Sequence, residues 1–195
     1  MQQIKIENQL KNHGFVSSKW CRENNIPTII LTRLVKQGKL EAVSRGLYIQ
    51  ANSGNYDEFY IFQYQYKKTV FSFESSLYLL GFTDKIINTF DVTVENNYKF
   101  NFQPKNSTVH YVKKDIFNLG VIEAKTIFGN SVKTYSIERT VCDFIKNKDR
   151  CDFEVYSKLL NNYVSIKNKN INLLFEYASK MKILEKTRSA LEILL

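Results

Sequence analysis

Between residues 16 and 49, VSSKWCRENNIPTIILTRLVKQGKLEAVSRGLYI, the apolar positions recur first at helical spacing and then in two short β-type runs. Ser17 is a natural N-cap for a short helix ending near Asn24, with Cys21 as its inward-facing residue. Asn25 suits a left-handed turn, and Pro27 suits the first turn of a helix running from about Thr28 to Gln37. The apolar set of that helix is Ile26, Leu31, Leu34 and Val35, and Gly38 stops it. Leu40 to Val43 and Leu47 to Gln50 then read as strands joined by Ser44-Arg45-Gly46. The pattern predicts a helix-turn-helix followed by a two-stranded wing. Ahead of it, residues 2 to 12 place Ile4, Ile6 and Leu10 at roughly helical spacing, and His13-Gly14 closes this first helix.

Beyond the wing, Ala51 to Asn55 is small and polar, the most linker-like stretch in the chain. It divides an N-terminal domain, residues 1–52, from a second domain, residues 55–195. Tyr56 to Lys68 is crowded with aromatic residues behind Asp57 and Glu58, and is expected to be an amphipathic helix filling the second domain's core; stacking of nucleobases is the alternative use of such rings. Ser72 should cap a helix carrying Leu77, Leu79 and Leu80 and ending at Gly81. Short β-rich segments follow at Phe90 to Val94, Tyr98 to Phe102, Thr108 to Val112 and Val121 to Phe128, with turn signals at Asn96-Asn97 and Gly129-Asn130 and a closing strand from Ser131 to Tyr135. Ser136 caps a helix to about Lys146, in which Arg139 and Asp143 stand four apart as an ordinary helix-stabilising pair. Three helices complete the chain, Phe153 to Val164, Ile171 to Met181 and Ile183 to Leu194, with apolar positions at bundle-like intervals. The fold class expected is α+β: a winged helix-turn-helix, then a mixed α/β domain with C-terminal helices.

Charge sharpens the picture. The 195-residue chain carries a formal net charge of +9, and residues 1–50 hold eight Lys or Arg against three Asp or Glu. A basic excess on a helix-turn-helix candidate favours duplex DNA over a membrane surface, because geometry and charge name the same ligand. Thr28, Ile29, Thr32, Arg33 and Lys36 lie opposite the apolar stripe of the third helix. A solvated charged face would look the same from that helix alone; the hairpin that follows, tipped by Arg45, tilts the balance. Thr28, Thr32, Arg33 and Lys36 are the candidates for the major groove, Ser17 and Lys19 for the sugar-phosphate backbone, and Arg45 with Lys39 for the wing contact. Lys5 and Lys11 on the first helix can reach phosphates, although exposed lysines there commonly do nothing specific.

Other classes fare less well. No apolar run approaches the roughly 20 residues that cross a bilayer, and residues 1–14 have no signal-peptide core, so the cytoplasm is the expected location. Cys21, Cys142 and Cys151 lack a C-x-x-C spacing, and His13 and His110 are the only histidines, so neither disulfides, nor a metal, nor another cofactor is expected. No phosphate-cradling glycine loop, G-x-S-x-G or H-E-x-x-H is present. The best enzymatic alternative is a metal-dependent DNA nuclease built on Asp115, Glu123 and Lys125, a loose spacing that arises readily by chance. An adaptor role for the C-terminal helices is compatible with DNA binding.

Three blocks carry a family likeness: Leu31-Thr32-Arg33-Leu34-Val35-Lys36-Gln37-Gly38-Lys39-Leu40 through Arg45-Gly46-Leu47-Tyr48; Phe71-Ser72-Phe73-Glu74-Ser75-Ser76-Leu77-Tyr78-Leu79-Leu80-Gly81-Phe82-Thr83-Asp84; and Tyr135-Ser136-Ile137-Glu138-Arg139-Thr140-Val141-Cys142-Asp143. With these the whole chain resembles the AbiEi family, the antitoxins of AbiE abortive-infection (type IV toxin-antitoxin) systems. It departs from the usual pattern at Asn25, where the turn often has glycine, and at Cys21, where leucine is common. The resemblance implies a non-enzymatic transcriptional autorepressor that binds inverted repeats in its own promoter. It implies a monomer in solution that is cooperative on DNA, and a cognate nucleotidyltransferase-like toxin counteracted without a stable complex.

Overall fold

The computed structural model describes residues 2–54, 56–101 and 104–192; Asn55, Phe102 and Leu194, which belong to the expected linker, strand and last helix, lie outside them. Helices accompany a three-stranded and a five-stranded sheet, an α+β arrangement. Two compact units result, Met1–Lys67 with Lys125–Val132, and Lys68–Ala124 with Lys133–Leu195. The division thus falls at 67–68 rather than at 52–55, and one hairpin tip from later in the chain joins the first unit.

The first unit begins with α1 (Gln2–His13), where Ile6 and Leu10 are buried but Ile4 is 60% exposed. Residues four apart share a helix face, whereas Ile4 precedes Ile6 by two and points elsewhere. Then come β1 (Val16–Ser17), α2 (Ser18–Glu23), α3 (Ile29–Lys36), β2 (Leu40–Ser44) and β3 (Leu47–Gln50). Strand β3 is central and antiparallel to both neighbours, pairing Tyr48 with Val16 of β1 and Gln50 with Leu40 of β2. The short β1 had no sequence signal of its own. Asn25 takes φ +56, the left-handed turn expected of it, and Cys21 is fully buried. Gly38, at φ +69, ends α3 while the Lys39 N–H donates back to the Leu34 carbonyl at 3.0 Å. Ile6, Leu10, Val16, Cys21, Ile26, Leu31, Leu34 and Leu40 form one apolar core.

The aromatic helix corrects one expectation. Asp57 caps α4 (Glu58–Gln65), its carboxylate accepting from the Tyr60 N–H, but Tyr60 and Tyr64 of α4 pack in the core of the first unit. Phe15 stacks on Tyr60 with centroids 4.3 Å apart, and Ile61 packs with Phe15, Leu47 and Ile49. The stretch before it, with Asn52 at φ +55 and Gly54 at φ +60, is a turn within one core and not a tether between two. Asp57 is 2% exposed and also accepts from Thr126 Oγ1 at 2.5 Å and Asn130 Nδ2 at 2.7 Å. Asn130 Nδ2 donates to the His13 carbonyl as well, at 2.9 Å, so the 126–130 turn is fastened to the ends of α1 and α4. Such a buried network holds only when every member is satisfied.

The second unit contains β4 (Val70–Phe71), α5 (Phe73–Leu79), β5 (Phe90–Glu95), β6 (Ser107–Val112), α6 (Lys114–Phe117), β7 (Val121–Lys125), β8 (Ser131–Tyr135) and α7 (Ile137–Lys146), then a 3-10 turn (Lys148–Arg150), α8 (Phe153–Ser165), α9 (Ile171–Lys180) and α10 (Leu184–Glu192). Sheet order is β6-β5-β4-β8-β7; β4 is antiparallel to β5 and parallel to β8, and β5 is parallel to β6. No strand forms over residues 98–101. The edge of β5 is already taken by β6, and Tyr98 instead donates its N–H to Glu95 and packs edge-on to Phe100 at 4.8 Å. Strand β7 stops at Lys125, three residues early, because Thr126 turns in to Asp57. Ser72 stands at the N-cap position of α5 without capping by its side chain, and its buried hydroxyl has no hydrogen-bond partner among the described residues. Helices α7 to α10 share a core that includes Val141, Phe144, Leu159, Tyr163, Leu174 and Ala178.

Arg139 and Asp143 are far more than a surface pair. Arg139 is 0% exposed; its Nε donates to both Asp143 oxygens at 3.2 and 3.1 Å, and its Nη1 to the carbonyls of Leu119, at 2.7 Å, and Ile116. Its guanidinium lies 4.1 Å from the Tyr135 ring centroid. Gly120 makes room for it, since a Cβ there would sit 2.7 Å from Arg139 Cβ. Burial pushes the Asp143 carboxyl up from its ordinary range and the adjacent guanidinium opposes that push.

Candidate nucleic-acid interface

Helix α3 owes its position to punctuation on both sides. The tight turn at Asn25 brings Ile26 back to the core, where the Ile26 N–H donates to the Cys21 carbonyl at 2.8 Å. Leu31 is 0% and Leu34 5% exposed, while Ile29 is 62% exposed and Thr32, Arg33 and Lys36 are exposed. Leu31 and Leu34 thus face the core and Arg33 faces solvent. Ile29, Thr32, Arg33 and Lys36 stand at i, i+3, i+4 and i+7, one stripe along one face. Arg33 makes no hydrogen bond or ion pair among the described residues, so its guanidinium fork is unoccupied. Thr28 is the N-cap residue of α3 and half-buried, with no side-chain cap bond.

The hairpin is tied to the helices at its base. Gly46, at φ +76, accepts the Ser18 N–H at 2.8 Å, and β1 pairs with β3 just beyond, at Ser17 and Leu47. Arg45, next to this anchor, is exposed, as is Lys39 ahead of β2. A fixed base under a free arginine limits the entropy lost when that arginine meets an anion.

Two candidates change status. Ser17 is 6% exposed, and its Oγ accepts the Trp20 N–H at 3.0 Å. The hydroxyl oxygen caps α2 and the residue is buried, which leaves it little access to a phosphate. Lys19 is exposed but sits 3.7 Å from Glu23, a solvent-screened pair that a phosphate can replace at little cost. Arg22, exposed three positions after Lys19 on the same helix, was absent from the sequence-derived set. Its signal was that i, i+3 relation. Burial pushes the Cys21 thiol beneath it up, with Arg22 as a weaker opposing influence.

The residues of the nuclease alternative are exposed. Asp115 lies in the first turn of α6, Glu123 on β7, and Lys125 donates to the Ser131 hydroxyl at 2.7 Å. Among the described residues no three His, Cys, Asp or Glu side chains cluster to hold a metal ion, and no helix is long and apolar enough to cross a membrane. Set against family models and curated proteins, the chain matches none.

Proposed function

We propose that this chain is a DNA-binding antitoxin and transcriptional autorepressor of the AbiEi kind, acting in the cytoplasm, whose first unit is a winged helix-turn-helix. Arg33, Thr32 and Lys36 read base edges in the major groove, with Thr28 at the head of the helix. Arg45, Lys39, Lys19 and Arg22 hold phosphates. Ile29 supplies an apolar contact suited to a thymine methyl group. The chain binds as a monomer, cooperatively, on inverted repeats upstream of its own gene, and opposes a nucleotidyltransferase-like toxin without forming a stable complex with it. No catalytic step is assigned to it.

One observation carries this reading: the sidedness of α3. Its apolar side is closed off in the core and its polar, basic side is open, with an unpaired arginine at the centre and a second exposed arginine on the adjoining hairpin. The three sequence blocks shared with AbiEi proteins support the antitoxin role. Footprinting and gel-shift titration on DNA from upstream of the gene test it. The expected result is protection of a repeated element, with log affinity falling against log salt by about 0.9 for each phosphate neutralised. Uniform weak binding to any duplex would refute sequence reading, and magnesium-dependent cleavage of plasmid lost in Glu123→Ala would replace it with the nuclease.

A further inference from the structure

The sheets end in the strands β1, β2, β6 and β7, and three of these edges are poorly suited to take a further strand. Strand β1 is two residues long, β2 is broken by a register shift between Ala42 and Ser44, and β7 carries exposed Glu123 and Lys125. Short, irregular or charged edges are the means by which a sheet refuses new strands. Strand β6 uses none of them. It runs six residues, Ser107-Thr108-Val109-His110-Tyr111-Val112, in unbroken parallel register with β5. Its sequence contains no lysine, arginine, acid, proline or glycine, and its one histidine is held by Asp91 at 2.9 Å.

The bonds at its two ends fix which way its backbone faces. The Phe90 N–H donates to the Asn106 carbonyl at 2.9 Å and the Asn96 N–H to the Val112 carbonyl at 2.8 Å, so residues 106, 108, 110 and 112 turn their backbone groups toward β5. These groups alternate sides along a strand. Ser107, Val109 and Tyr111 therefore point theirs away from the sheet, and among the described residues no backbone hydrogen bond answers them. The same three side chains share one face, where Tyr111 is 52% exposed.

This row is its own complement. Laid antiparallel on a second copy with Val109 opposite Val109, the groups of Ser107 meet those of Tyr111 and every outward donor finds an acceptor. A shift in either direction leaves Ser107 or Tyr111 without a partner in the strand. The side chains agree with the backbone, since valine meets valine at the centre and each tyrosine lies diagonal to the opposite valine.

We propose that β6 is a self-recognition edge, through which two copies of this chain pair antiparallel with Val109 at the twofold axis. Exposed Lys105 and Lys113 flank the strand and each chain carries +9, so the pairing is weak, with a Kd approaching about 1 mM, and it strengthens with salt. At micromolar concentration the chain stays a monomer. Copies held side by side pair through this edge, whether or not DNA is what holds them.

Sedimentation equilibrium of the full chain up to about 1 mM, in about 0.5 M salt, provides the test. The wild type should show a reversible monomer–dimer equilibrium that weakens as salt is lowered. Val109→Lys and Val109→Glu should each weaken it at least about tenfold, or about 1.4 kcal/mol, because like charges then sit opposite one another. An equimolar mixture of the two should associate again, since lysine meets glutamate only in this register. Tyr111→Lys alters an exposed side chain, so it should melt as the wild type does and associate about tenfold more weakly. The proposal is overturned if the wild type stays monomeric at about 1 mM, or if Tyr111→Lys associates unchanged. It is equally overturned if the mixture of folded Val109 variants associates no better than either alone.

Discussion

Arg33 and Arg139 each lie on a helix that carries buried apolar residues, and have opposite fates. Arg139 is 0% exposed and held by a carboxylate four residues on, two carbonyls and an aromatic face. Arg33 is exposed, with Ile29 and Gln37 four residues away on either side and no acid within reach along the helix. The difference teaches that an arginine is built into a core where most of its donors are answered, here all but Nη2 among the described residues. Where they are not, it stays in water and is available to an anion from outside.

Breaking the buried member should have the largest effect. Arg139→Ala leaves Asp143 and two carbonyls unanswered and should cost about 3–5 kcal/mol of stability in urea unfolding. Replacing both members by leucine should cost far less, since no charge is then stranded. Next in size, Arg33→Ala should reduce affinity for the selected DNA site by about 1–3 kcal/mol with an unchanged Tm, because no folded contact is lost. Ser17→Ala inverts that outcome: loss of the α2 cap should cost about 1 kcal/mol of stability while DNA affinity of the folded protein stays the same. Smallest is Arg45→Ala, a uniform weakening across sequences with the salt slope reduced by about 1.

The first unit's helices were legible because their ends are marked by residues with few alternatives, Ser17, Asn25, Pro27 and Gly38, and because the stripe of Leu31 and Leu34 has one period only. Its outer limit was not. Nothing in Tyr56 to Lys67 says which core its rings enter, and that was decided by Phe15, forty-five residues before Tyr60 in the chain. Strand β1 was missed for the same reason, since two residues gain strand form only from β3 beside them. In the second unit the spacing of Arg139 and Asp143 was visible, but its burial depended on carbonyls at 116 and 119, which no local pattern connects to α7. Ser17 shows a further limit: its capping role is marked by its place before α2, whereas its burial, which closes it to a phosphate, is set by the packing around it.

The most direct test removes the same charge from each region. Fluorescence anisotropy on the selected duplex should compare Arg33, Lys36 and Arg45 replaced together by alanine with Lys148, Lys158 and Lys186 replaced together, six exposed cations in all. The first variant should bind at least about 100-fold more weakly, and the second within about threefold of wild type once its smaller loss of long-range attraction is included. Equal losses in the two variants would contradict the account, because binding would then follow net charge and not the open face of α3.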